Sequence, residues 1–190
     1  MKELKEKILK YGIALNENVL KVDSFVNHQV DPELMDKSGR DFADKYKDRN
    51  ITKVVTIESS GIAPAVFAAL HLNVPLVIMK KSTSKVLSDE LVQATIKSYT
   101  KGTEFELTMS KKFVNENDNV LVVDDFLANG QAALGAIKLV EKMGAKIEGV
   151  GILIEKSFQP GRQELINKGY EVYSLARIKN MSKDRIEFEE

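Results

Sequence analysis

Asn119-Val-Leu-Val-Val-Asp-Asp-Phe-Leu-Ala-Asn-Gly-Gln-Ala132 is an apolar run that stops on two adjacent carboxylates and then passes through a small-residue loop. Val120 to Val123 are all apolar and mostly β-branched, the composition of a strand buried on both faces, as in the middle of a parallel sheet. Ligands of such sheets sit beyond the carboxyl ends of the strands, where the free N–H groups of the next helix point outward. Asp124 and Asp125 fall at that end. Ala128, Asn129, Gly130, Gln131 and Ala132 follow with little side-chain bulk, so their amides can close around an anionic group such as a phosphate. A lone Asp at a strand end is usually a cap or turn residue. A doublet between a buried strand and an amide cradle is a different signal: it can hold a ribose 5-phosphate by its diol and by its phosphate.

The same layout occurs upstream. Lys53-Val-Val-Thr-Ile-Glu58 is a second buried-strand pattern, running into Ser59-Ser60-Gly61 before a helix-forming stretch, Ala63 to Leu70. Two hydroxyls and a glycine at the positive end of a helix suit a second phosphate or a pyrophosphate. Asn73 to Met79 is a third strand and delivers Lys80 and Lys81 to the same surface, with Lys81 the candidate for phosphate oxygens. Ile147 to Glu155 is a fourth, thinned by Gly149 and Gly151, and brings Lys156 and Phe158 to that edge. A cation and a ring two residues apart can hydrogen-bond a carbonyl and stack on a heteroaromatic base. A helix, Arg162 to Lys168, and a strand, Tyr170 to Ala176, complete the sheet. Strands alternating with helices indicate an α/β fold with a mainly parallel central sheet flanked by helices.

Four segments stand outside this alternation. Leu4, Ile8 and Leu9 before Gly12 spell a short amphipathic helix. Leu20 to Asp31 has no clean period but mixes Phe25 with Asn27, His28 and Gln29, a composition suited to a hood over a planar ligand. Asp31-Pro32 then caps a helix whose buried face is Leu34, Met35, Phe42, Ala43 and Tyr46. From Ser82 to Lys112 the alternations Leu91 to Ser98 and Phe105 to Met109 flank Thr100-Lys-Gly-Thr103, the pattern of a long flexible β-hairpin lid projecting from the sheet. The expected organisation is one domain, 1–190, with a hood of about 1–36 and part of 156–190 and a lid of about 82–112.

Composition removes several function classes. The 190 residues carry 28 basic and 28 acidic side chains, which argues against a protein that holds nucleic acid chiefly by phosphate neutralisation. There is no cysteine, hence no disulfide or thiolate nucleophile, and the two histidines, His28 and His71, lack metal-ligand spacing. The first ten residues are charged throughout and no run reaches membrane-span length, so a cytoplasmic protein is expected.

Val122 to Ala132 resembles the phosphoribosyl pyrophosphate motif of type I phosphoribosyltransferases, and Glu58-Ser-Ser-Gly-Ile-Ala-Pro64 resembles their pyrophosphate loop. Leu20 to Gln29, Asp125 to Ala132 and Ile154-Glu-Lys-Ser-Phe-Gln-Pro-Gly-Arg162 are similar to the bacterial members that act on xanthine, and the similarity runs along nearly the whole chain. The resemblance implies the type I fold and a homodimeric purine-salvage enzyme that joins xanthine to phosphoribosyl pyrophosphate with magnesium, no direct protein ligand for the metal being assigned. It implies base contacts at Leu20, Asn27 and Lys156 and a ribose 5-phosphate cradle at Ala128 to Ala132. Most members carry hydroxyls in that cradle; Ala128 and Ala132 here leave more of the contact to amides. Two rivals remain at this level. One is the same reaction on hypoxanthine, guanine or adenine, and the other is a regulator sensing phosphoribosyl pyrophosphate while binding nucleic acid, against which stands the lack of a basic stripe.

Overall fold

The computed structural model describes residues 1–81, 90–98, 103–183 and 185–190. In chain order, α1 (Lys2–Tyr11) leads to a small hairpin, β1 (Ile13–Ala14) and β2 (Leu20–Lys21), and to a π-helical turn at Asp23–Asn27. α2 (Pro32–Tyr46) begins as its sequence dictates: the Asp31 carboxylate accepts the Leu34 N–H at 3.1 Å and Pro32 occupies the first turn, where no donor is needed. Then come β3 (Lys53–Ile57), α3 (Ile62–Leu72), β4 (Leu76–Met79), β5 (Leu91–Ser98), β6 (Thr103–Ser110), β7 (Asn119–Leu127), α4 (Gln131–Lys142), β8 (Lys146–Lys156), α5 (Gly161–Asn167), β9 (Val172–Ser182) and β10 (Arg185–Phe188).

Six strands form the main sheet in the order β10-β9-β8-β7-β3-β4. All neighbours are parallel except β9 and β10, which pair antiparallel. From β3 the chain steps outward to β4, whereas from β7 it steps the other way to β8 and β9. The direction of winding therefore reverses between β3 and β7, and a crevice opens there at the carboxyl ends.

Each central strand supplies both faces of the core by simple alternation. Val54, Leu121, Val123 and Leu153 face a layer built from α1, α2, α3 and the hood, while Val55, Val120, Val122 and Ile152 face α4, α5 and the β5–β6 hairpin. Gly149 and Gly151 make room for aromatics of α2: a Cβ on Gly149 would lie 2.4 Å from Tyr46, and one on Gly151 would lie 2.9 Å from Phe42.

Four expectations are refined. Leu9 is exposed, because only Leu4 and Ile8, one turn apart, face inward on α1. The final strand extends to Ser182 and turns back as β10, a four-residue edge strand in which Ile186 and Phe188 pack on the core and alternate with Arg185 and Glu187, so it lacks the apolar run that marks a central strand. The hood contains the β1–β2 pair, too short to show a period. The hairpin pairs Leu91 with Ser110 through Ser98 with Thr103, so its second strand begins at Thr103, ahead of the alternation that starts at Phe105. Its inner face, Val92, Ala94, Ile96, Leu107 and Met109, is packed into the second core layer, so the described strands lie on the body of the protein. The stretches 82–89 and 99–102 of the expected lid lie outside the described residues.

Candidate active site

At the reversal point β3 and β7 run side by side, Lys53 to Val55 opposite Val120 to Val122, and deliver their following loops to one crevice. The two loops touch through Gly61. A Cβ at this position would lie 2.4 Å from Thr56 Oγ1 and 2.6 Å from Asp124 Oδ1, so the turn entering α3 presses its backbone against the carboxylate of the neighbouring strand. The loop Ser59-Ser60-Gly61 and the carboxylate pair, more than sixty residues apart in sequence, are thus one site. The Thr56 hydroxyl, buried at the same spot, has no hydrogen-bond partner among the described protein atoms.

Asp124 is 8% exposed and accepts the Asp125 N–H at 2.9 Å. Burial, and after it the neighbouring Asp125 charge, push its carboxyl well above the usual aspartate range; Lys81 pulls weakly the other way. The Lys81 backbone N–H donates to Glu58 Oε1 at 2.8 Å, and Lys80 Nζ lies 3.2 Å from Glu58 Oε2. Glu58 is held below the usual glutamate range first by that amide bond, against its burial.

The phosphate cradle is shaped by Gly130, whose φ of +82° is a conformation that side chains rarely adopt. Its carbonyl accepts the Leu134 N–H at 2.9 Å, starting α4, and Asn129 Oδ1 accepts the Gln131 N–H at 3.3 Å. Ala128, Asn129, Gln131 and Ala132 are half-buried around this positive helix end, where an anion is favoured. A third loop supports the cradle from behind. The Gly161 N–H donates to Ala128 O at 2.9 Å, and a Cβ on Gly161 would fall 2.4 Å from that oxygen and 2.7 Å from Gly130 N.

Lys156 closes the other end. Its ammonium donates to Asn18 O at 2.5 Å and lies 5.4 Å from the centroid of the Phe126 ring. Burial lowers its pKa and the charge of Asp125 opposes this, so the lysine and the carboxylate pair share one field. Asn18 is in the turn of the β1–β2 hairpin, and Gln159 Nε2 also reaches its Oδ1 at 3.4 Å. Leu20, on the same hairpin, is buried in the core beneath it. Asn27 is exposed at the end of the π-helical turn, and Phe158 is 41% exposed. The structure thus gathers Asp124, Asp125, Gly61, the 128–132 cradle and Lys156, with Ser59 and Ser60 on the adjoining loop, and leaves Asn27 and Phe158 on open surface. Sequence reading passed over Asn18, Thr56, Glu155 and Arg162. Glu155 carried a signal, a carboxylate closing an otherwise apolar strand, which requires buried donors to receive it.

A carboxylate pair at the reversal point, flanked by two amide loops and roofed by a small hood, defines a type I phosphoribosyltransferase. The chain belongs to the phosphoribosyltransferase family, its residues 29–178 matching the model of the phosphoribosyl transferase domain. Xanthine phosphoribosyltransferase 1 of Clostridium botulinum (strain Hall) is 58% identical over 188 residues, 99% of each chain. The xanthine phosphoribosyltransferase of Clostridium acetobutylicum is 55% identical over 99% of this chain and 100% of its own. Among solved structures, adenine phosphoribosyltransferase from Thermoanaerobacter pseudethanolicus shares the fold with a TM-score of 0.69 at 26% identity, over 77% of this chain and 82% of that one.

Proposed function

We propose that the protein is a purine-salvage enzyme transferring the 5-phosphoribosyl group of phosphoribosyl pyrophosphate to xanthine, giving xanthosine 5'-monophosphate and pyrophosphate. The observation that carries this reading is the contact of Gly61 with Asp124, which joins a loop suited to a diphosphate to carboxylates suited to a ribose diol. Relatives matching along nearly the full length, and named for xanthine, support the choice of base.

A ring nitrogen of the base gives up its proton to solvent and forms a bond to the anomeric carbon as the bond to pyrophosphate breaks, the electron pair of that bond leaving with the diphosphate. Positive charge develops on the sugar between these events. Asp124 and Asp125 grip the ribose hydroxyls, and their charge favours that cation; the amides of Ser59, Ser60 and Gly61, with Lys81, receive the departing oxygens. The cradle at Ala128 to Ala132 holds the 5-phosphate. Lys156 and, from its exposed place at the hood, Asn27 each donate to a carbonyl of xanthine, the exposed ring of Phe158 is free to stack on it, Leu20 backs the hood from the core, and the β5–β6 hairpin limits access of water.

Among the described residues no group of three or more His, Asp or Glu side chains could enclose a metal. Magnesium is compatible with such a site, since it keeps several waters and is held by one or two carboxylates and substrate phosphates. Asp124 and Asp125 are the oxygen donors that fit, and the ion would neutralise charge on pyrophosphate. We further propose a cytoplasmic homodimer. No helix among the described residues is long and apolar enough to cross a membrane, and Val66 and Leu70, one turn apart on α3, expose an apolar patch suited to a second copy.

Initial rates with xanthine, guanine, hypoxanthine and adenine, each with phosphoribosyl pyrophosphate and magnesium, test the reading. Clear preference for xanthine is expected. Preference for another purine overturns the base assignment, and absence of turnover with all four overturns the enzyme.

A further inference from the structure

Glu155 is 1% exposed, yet its carboxylate is the most heavily bonded group among the described residues. Arg162 Nε donates to both oxygens, at 2.8 and 3.0 Å, and Arg177 Nε donates at 3.1 Å. Ser157 Oγ and Ser174 Oγ add bonds at 3.0 and 2.5 Å. The partners come from the loop after β8, from α5 and from β9. Burying a carboxylate beneath two partly exposed guanidinium groups is costly in comparison with an apolar side chain of similar volume, so stability alone is a weak reason for it.

Its position supplies another reason. Glu155 precedes Lys156, which serves the base, and it grips Arg162, which follows Gly161, the residue lying directly on the phosphate cradle. The segment 156–162 is therefore a strap with one end at the base and the other at the 5-phosphate, and both of its ends are tied to one carboxylate. Lys156 further carries the hood through Asn18.

We propose that Glu155 is a positioning residue for both ends of the substrate: by pinning the Lys156–Arg162 strap it sets the base clamp and the phosphate cradle in register. The proposal rests on the phosphoribosyl-transfer reading above. Turnover of xanthine by the unaltered enzyme, measured in the same run, separates the two, because its absence sinks that reading whatever the variants do.

The test compares Glu155→Gln, Gly161→Ala and the unaltered enzyme by steady-state kinetics below their melting temperatures. Glu155→Gln is expected to raise KM for xanthine and KM for phosphoribosyl pyrophosphate together by about tenfold, with kcat at saturation within about threefold, since loosening the strap removes binding that the ground and transition states share. Gly161→Ala is expected to raise KM for phosphoribosyl pyrophosphate by a similar factor and to leave KM for xanthine within about twofold. A Glu155→Gln enzyme that melts earlier but keeps both KM values is held only structurally, and overturns the proposal. So does a Gly161→Ala enzyme with an unaltered KM for phosphoribosyl pyrophosphate. If Glu155→Gln does not fold, Arg162→Lys, which keeps the charge and loses the fork, takes its place with the same expected rise in both constants and the same overturning result.

Discussion

Asp124 and Glu155 lie near the carboxyl ends of adjacent parallel strands, both nearly closed off from water, and their surroundings treat them in opposite ways. Asp124 has a second carboxylate beside it and an unpartnered hydroxyl near it, and its proton is held well above the usual aspartate range by burial and by Asp125. Burial also pushes Glu155 up, but the bonds from Arg162, Ser174 and Ser157 outweigh it and hold the group below the usual glutamate range. A buried charge without its partners marks a place where a ligand must complete the structure; one whose partners are all present has been completed by the chain itself. The first is placed to meet the substrate directly, and the second acts only through the strap it holds.

The contrast is tested most strongly by activity. Asp125→Asn or Asp124→Asn is expected to lower kcat/KM by about 100- to 1000-fold, the loss typical of removing a preorganised electrostatic group at a developing charge. Loss of less than about tenfold in both would show that the pair does not meet the ribose. Glu155→Gln is expected to destabilise the fold by about 2 kcal/mol, because the charge-assisted bonds from Arg162 and Arg177 to a buried carboxylate are lost while the two guanidinium groups keep partial access to water. Urea denaturation measures it, and an unchanged midpoint would remove Glu155 from its side of the comparison. The pH profile carries a sign. Stability from Glu155 is full above the usual glutamate range and is lost as pH falls through its lowered folded pKa, so the gap between the unaltered protein and Glu155→Gln should narrow in acid.

A smaller effect concerns the base. Asn27→Asp replaces a donor with an acceptor where the carbonyl of xanthine stands in place of the amine of guanine. Selectivity is expected to move toward guanine by about 1 kcal/mol, the worth of one hydrogen bond at a position open to water. Unchanged selectivity would move recognition of that carbonyl away from the hood, where Asn27 is exposed.

What could be read in the chain divides along the same line. The strands of the sheet, the Asp31-Pro32 start of α2 and the loops at Ser59 and Ala128 are local patterns, each contained in a dozen residues. The contact of Gly61 with Asp124 and the bond of Lys156 to Asn18 join residues far apart in sequence, and no periodicity reports them. Glu155 is intermediate: its carboxylate interrupts a legible strand, but the arginines that receive it lie on α5 and β9. The four-residue edge strand β10 is the shortest stretch in which alternation can show, and the two-residue strands of the hood fall below that length.

The smallest effect decides whether Asp124 is kept for function against the interest of the fold. Its raised pKa means that stability from the protonated group is fully present below the usual aspartate range and is lost as pH rises through the folded pKa. Asp124→Asn keeps the oxygen that accepts the Asp125 N–H and cannot ionise. The variant should therefore match the unaltered protein in acid and gain on it with rising pH, by at most about 1.4 kcal/mol per pH unit inside that window, levelling off above the raised pKa. Thermal melts of the ligand-free protein at several pH values measure the gain. A variant that is more stable and nearly inactive would identify Asp124 as a residue held at a cost to the fold. One that is less stable at every pH would show that the carboxylate has partners enough, and that the two sites differ less than their surroundings suggest.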